Sequence, residues 1–114
     1  KSRKYIKNDV HYILGKKKWK TVVTHNPDGE YGHTHHQMTS YIVSKDSRVD
    51  MNQLVYFGRY YKKKNLPHNL NSISQSDLKK KMKLTSMYSS QSKVMDHLGH
   101  MLPHENWVKA KDWR

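Results

Sequence analysis

Twenty-two lysines and arginines face nine aspartates and glutamates in this chain, a formal charge of +13 with histidine neutral. No other feature constrains its folding as strongly, because like charges repel across any compact surface and apolar burial must overcome them. Apolar residues make up 34% of the 114 positions, against roughly 45–50% by a slightly wider count in ordinary globular domains. The chain can therefore build only a modest core, and part of its order is expected to come from a partner. Solubility alone does not require such an excess of cations, since balanced or acidic surfaces serve it equally well. A polyanion is the partner that this charge selects, in a salt-sensitive manner.

There is no cysteine, which removes disulfides and thiolate metal sites from consideration. No apolar run approaches the roughly 18 residues of a membrane span, and no signal-peptide hydrophobic segment is visible. A soluble, intracellular protein with no membrane partner is the expectation. The five glycines form neither a GxGxxG nor a P-loop pattern, and there is no GxSxG elbow. No cofactor is expected.

The pattern along the chain predicts an α+β protein. Residues 1–9 read as an extended basic arm, 10–102 as a single small α+β domain, and 103–114 as a docking tail. Between residues 10 and 43 the β-branched and aromatic runs predict an antiparallel meander of about three strands. Asn26-Pro27-Asp28-Gly29 supplies a turn, with proline setting φ at its second position. If His25 pairs with Glu30, strand alternation puts Trp19, Val23, Met38 and Ile42 on a core face. Lys20, Tyr31, His33, His35 and Tyr41 then share the opposite face. Helices are predicted at about 48–63, 75–88 and 93–102. Ser47–Asp50 and Ser74–Asp77 both fit capping boxes, and Met51, Leu54, Val55, Gly58 and Tyr61 fall on one helical stripe.

Three groups of residues can carry function. Lys16, Lys17, Lys18 and Lys20 surround the predicted hairpin, Arg59, Lys62, Lys63 and Lys64 end the first predicted helix, and Lys79, Lys80, Lys81 and Lys83 lie on the second. Lysine is a point charge for phosphates, whereas base edges favour arginine forks. With only four arginines, Arg3, Arg48, Arg59 and Arg114, backbone and shape recognition is expected rather than sequence reading. Eight tyrosines against one phenylalanine suit stacking on single-stranded bases, with Tyr31 and Tyr41 as candidates. His33-Thr34-His35-His36 and the set His97, His100 and His104 have the donor type of metal sites, yet no further ligand stands at a recognisable spacing, so no metal is expected.

These features lead to a non-catalytic nucleic-acid-binding protein, with RNA favoured over DNA, as a subunit of a larger ribonucleoprotein. Trp107 and Trp113, set among charges in the tail, are the expected contacts with neighbouring protein subunits. Three alternatives remain open. One is a small metal-independent ribonuclease using His33, His35, Lys20 and Tyr31 as acid, base and phosphorane-stabilising groups. Another is a DNA-binding domain that places its sheet in the major groove. The third is a structural subunit of an acidic protein assembly or filament.

Overall fold

The computed structural model describes residues 2–87 and 98–114, and the chain divides into two compact units, residues 1–59 with 107–114, and residues 60–106. The protein is α+β: among the described residues four helices accompany a three-stranded sheet of order β1-β2-β3. In the first unit, helix α1 spans Ser2–Leu14. Its Ile6, Val10 and Leu14 recur every four residues and are half-buried, and Val10 packs on the core. The expected extended arm and the strand at Val10–Leu14 are thus one helix. The physical reason is that i, i+4 spacing buries one stripe of a helix, and the β-branched residues of the stretch do not override it.

Strand β1 (Val22–Thr24) leads into a short kinked helix α2 (Gly29–Gly32) and then helix α3 (Thr34–Lys45). His33 caps α3, its side chain accepting from the His35 N–H. Ser40 and Val43 stand three apart on the buried face, with Ile42 beside them. The β-like composition of 34–43 is therefore helical here, and the meander expected over residues 10–43 keeps β1 alone.

The partners of β1 come from elsewhere in the chain. β2 (Leu54–Phe57) runs parallel to β1, in register Val22↔Leu54 and Thr24↔Tyr56. β3 (Trp107–Lys109) runs antiparallel to β2, pairing Tyr56↔Val108. A parallel pair needs a crossover rather than a tight hairpin, and α3 supplies it. The segment 48–63 does not form the expected helix. Its Asx-type side chains turn the chain instead: Asp46 Oδ1 accepts from the Arg48 N–H at 2.8 Å, and Asp50 Oδ1 from the Asn52 N–H at 2.8 Å. Such bonds compete with helix initiation. Leu54 and Tyr56 then alternate inward with Phe57 exposed, as a strand requires.

The core of this unit is small: Val43, Leu54, Tyr56 and Ala110 are buried, with Val10, Val22, Val49 and Trp113 packed around them. Two polar contacts tie helices to it. His11 Nδ1–H donates to Asp46 Oδ2 at 2.9 Å, joining α1 to the end of α3. The Tyr56 and Ser44 hydroxyls bond at 2.7 Å.

In the second unit, α4 (Gln75–Ser86) follows the predicted capping: Ser74 accepts from the Asp77 N–H. Lys81 of α4 reaches the Leu102 carbonyl at 2.9 Å and Glu105 at 2.8 Å. Residues 63–65 and 99–101 form 3₁₀ turns, and Ser72 and His104 make an isolated antiparallel bridge. The helix expected at 93–102 lies mostly outside the described residues, as do Tyr88 and His97. No helix among the described residues is long and apolar enough to cross a membrane.

Leu54 is 1% exposed and central to this core. Leu54→Ala is expected to destabilise the protein by about 2–5 kcal/mol, read as a lower urea midpoint with an unchanged slope.

Candidate functional site

Parallel strands β1 and β2 end side by side, and ligands of open α/β sheets commonly bind beyond such carboxyl ends. Here the ends are fastened by Asn26, which is 0% exposed. Its Nδ2 donates to the Phe57 and Gly58 carbonyls, both at 3.1 Å, and its Oδ1 accepts from the Asp28 and Glu30 N–H groups, both at 3.0 Å. One side chain thus meets all four of its hydrogen-bonding demands and folds the loop after β1 back over the sheet. The loop is tight. Gly29 has φ +66° and Gly32 φ +92°, and Glu30, a non-glycine, has φ +60° with ψ −85°. That conformation costs about 1–3 kcal/mol and persists only where surrounding bonds hold it.

The loop delivers the Glu30 carboxylate to a pair of imidazoles. Glu30 Oε1 accepts from the Asn26 N–H at 3.0 Å. Its Oε2 lies 3.1 Å from His25 Nδ1 and 2.8 Å from His36 Nδ1. An ionised carboxylate only accepts, so both Nδ1 atoms carry a proton toward it. The rings of His25 and His36 stack with centroids 3.9 Å apart and 4° between planes, and His33 stacks on His36 at 4.2 Å. His33 has the other tautomer when neutral, since its Nδ1 accepts from the His35 N–H at 3.2 Å. Partial burial, and then the neighbouring His36, His35 and His25, lower the pKa of His33, with Glu30 opposing them.

His25, Glu30 and His36 each offer a ligand atom within 4.8 Å of the others. Their side chains are 31%, 18% and 28% exposed, so an ion or a small substrate can reach them from solvent. The expectation of no metal site rested on the absence of a third ligand at a familiar spacing. The turn and the start of α3 place the Glu30 carboxylate beside His25 and His36, a grouping that no spacing in the sequence announces.

The residues singled out in the sequence are distributed unevenly. Tyr31, His33 and His35 gather beside the cluster, Tyr31 meeting His33 and His36 edge-on at 6.1 and 6.0 Å. His33 and His35 lie at the start of a helix rather than on one strand face. Lys20 precedes β1 and stands at the end of that strand remote from His25. Lys16, Lys17 and Lys18 follow α1, with Lys16 over the Tyr12 ring and Lys17 over the Trp19 ring. Tyr41 is exposed on α3 beneath Arg3. Arg59 pairs with Asp28 at 3.2 Å and covers the Trp113 ring at 3.8 Å. Lys62, Lys63, Lys64, Lys79, Lys80, Lys81 and Lys83 belong to the second unit. Trp113 meets Tyr56 edge-on at 5.7 Å, whereas Trp107 is 65% exposed. His25, Asn26, Glu30 and His36 were not grouped by sequence pattern. The one legible signal was His33 and His36 at helical i, i+3 spacing.

An uncharacterized protein of Acanthamoeba polyphaga mimivirus is similar to this chain, 29% identical over 109 residues. The match covers 96% of this chain and 43% of the relative, so the chain spans less than half of that protein's length. No family model and no solved structure matches the chain.

Asn26→Ala leaves buried donors and acceptors unpaired and is expected to cost about 2–4 kcal/mol. The Asp28 and Glu30 amides should lose hydrogen-exchange protection first, ahead of the Leu54 and Tyr56 amides of β2.

Proposed function

We propose that His25, Glu30 and His36 form a divalent-metal centre of the hydrolytic type, with His33 beside it as a hydrogen-bond donor to the substrate. The observation that carries this reading is the convergence of the three ligand atoms within 4.8 Å at the carboxyl ends of β1 and β2. Two imidazoles and a carboxylate match the donor set of zinc and similar ions. Three protein ligands leave a position for water, which distinguishes catalytic from structural zinc. When bound, such an ion would supply Lewis-acid chemistry to that water.

The residues of the chain account for the rest. In the structure Glu30 Oε2 holds both imidazoles through Nδ1; an ion would take the place of those two protons, with both Nδ1 atoms and a Glu30 oxygen as its ligands. Two parallel rings 3.9 Å apart cannot both aim in-plane lone pairs at one ion roughly 2 Å from each nitrogen. An ion held by both imidazoles would require at least one ring to turn out of the stack. Neutral His33, whose Nδ1 accepts from the His35 N–H, has its Nε2–H available as a hydrogen-bond donor to an oxygen of the substrate.

Zinc titration by calorimetry should show one site. His36→Ala, His25→Ala or Glu30→Gln should each weaken it by about 10–100-fold, while His35→Ala leaves it in place. Equal affinity in His36→Ala would overturn the reading. In the zinc-loaded protein, hydrolysis of a chromogenic acyl- and phosphoryl-ester panel should fall in His33→Ala with metal affinity retained.

The charge of +13 favours a second reading, that the protein holds a polyanion, RNA before DNA, as part of a ribonucleoprotein. Exposed Lys79, Lys80 and Lys83 on α4 would meet phosphates, and exposed Trp107 a neighbouring subunit. Affinity for labelled RNA should then fall at least about tenfold between 50 and 200 mM salt. A flat response removes this reading. RNA cleavage that persists in chelator would replace the metal centre with the metal-independent ribonuclease of His33 and His35.

A further inference from the structure

At the opposite end of the strands from the histidine cluster, a cleft of about 450 Å³ opens between the end of α1, the approach to β1 and the turn before β2. Gly15, Lys17, Lys18, Trp19, Arg48 and Gln53 line it, three of them cationic and none acidic. We infer that this cleft is a binding site for a phosphate group. The inference does not depend on the metal centre, with which it shares no residue.

Arg48 is the centre of the argument. Its backbone N–H is held by Asp46 Oδ1, and its Nη1 donates to the His11 carbonyl at 2.8 Å. Among the described residues its guanidinium makes this one hydrogen bond and no ion pair, so one anchor fixes the fork while other N–H groups remain to be satisfied. A guanidinium placed in this way matches two oxygens of a phosphate, and its donors need no reorganisation on binding.

The placement depends on Gly15. A Cβ there would stand 1.5 Å from Arg48 Nη1 and 2.5 Å from its Cζ. The glycine φ is ordinary, so what it provides is room for the guanidinium at the helix end. The opposite wall is equally fixed. Trp19 Nε1–H donates to the Ile13 carbonyl at 3.1 Å, and the Trp19 carbonyl accepts from Gln53 Nε2 at 2.6 Å. Lys17 Nζ lies 4.4 Å from the centroid of the Trp19 ring, which poises its charge at the rim. Lys18 adds a second cation to the lining. An anchored fork, two lysines, a flat aromatic wall and no carboxylate form a site for a phosphate monoester or diester. The source is either free inorganic phosphate or a nucleotide whose base meets Trp19.

The test is a titration of the ¹⁵N-labelled full chain with inorganic phosphate, adenosine monophosphate and adenosine at constant ionic strength. Saturable shifts of the Trp19 indole and Arg48 Nε–H signals are expected with the two phosphates and not with adenosine. Arg48→Gln should weaken binding at least tenfold. Gly15→Ala, which displaces the guanidinium at unchanged net charge, should do the same with the Leu54 and Tyr56 amide signals in place. Lys4→Gln, at the far end of α1, should leave affinity within twofold. Tenfold tighter binding of adenosine monophosphate than of inorganic phosphate makes a nucleotide the source, and equal affinity makes it phosphate itself. The proposal is overturned by shifts that do not saturate, or by Gly15→Ala and Lys4→Gln having the same effect.

Discussion

The carboxamide of Asn26 is the contact on which the carboxyl ends of β1 and β2 depend. It is fully buried, and both of its donors and both of its accepted bonds are used within a few residues of the histidine cluster. A buried amide is stabilising only when satisfied, and removing its partners costs more than each bond contributes. Those bonds therefore act as a set. They join the ends of β1 and β2, close the turn, and hold Glu30 in a backbone region that an L-residue rarely occupies. The strain of Glu30 is offset by three carboxylate contacts, to the Asn26 N–H and to two imidazoles. Without the clasp, neither the strained φ nor the parallel ring stack would have a cause.

Away from that end, the fold manages its charge by covering aromatic faces with cations. Arg3 lies over Tyr41, Lys16 over Tyr12, Lys17 over Trp19 and Arg59 over Trp113. At exposed sites each such pair is worth about 0.5–1 kcal/mol, and the long stems shield apolar surface that the small core leaves uncovered. The tyrosines and tryptophans thus have an intramolecular use that competes with base stacking. Arg59 illustrates the difference: its charge is shared between Asp28 and the Trp113 face, so it is less available to phosphate than Arg48.

The class of the fold was legible because the chain mixes β-branched runs with capped, periodic ones, and helix α4 was legible almost to its ends because Ser74 and Asp77 form a local signal. The strand order was not. Val10–Leu14 and Thr34–Val43 carry β-prone residues, yet each also carries a helical stripe, Ile6-Val10-Leu14 and Ser40-Val43. Tertiary burial of that stripe outweighs propensities of a few tenths of a kcal/mol per residue. Leu54–Phe57 was drawn toward a helix by the pattern of Ser47 and Asp50, but here the Asp46 and Asp50 side chains close turns instead. The pairing of β2 with Trp107–Lys109, fifty residues away, leaves no local trace at all. The histidine cluster was missed for the same reason. In a strand His33 and His36 face opposite ways, whereas in the first turn of a helix they stack, and Glu30 joins them only through a conformation no pattern announces.

The two tautomers in the cluster complete the chemical argument. Glu30 accepts from the Nδ1–H groups of His25 and His36, so each ring, when neutral, bears its hydrogen on Nδ1. The backbone N–H of His35 points at Nδ1 of His33, so neutral His33 bears its hydrogen on Nε2. Partial burial and the adjoining imidazoles favour that neutral form. Rings of one chemical type, stacked about 4 Å apart, are thereby sorted by a single carboxylate and a single amide into two that carry hydrogen on Nδ1 and one that carries it on Nε2. A surface scatter of histidines has no such division. It is the polarity of the hydrogen bonds, more than the number of histidines, that sets this end of the sheet apart from the lysine-rich surface around it.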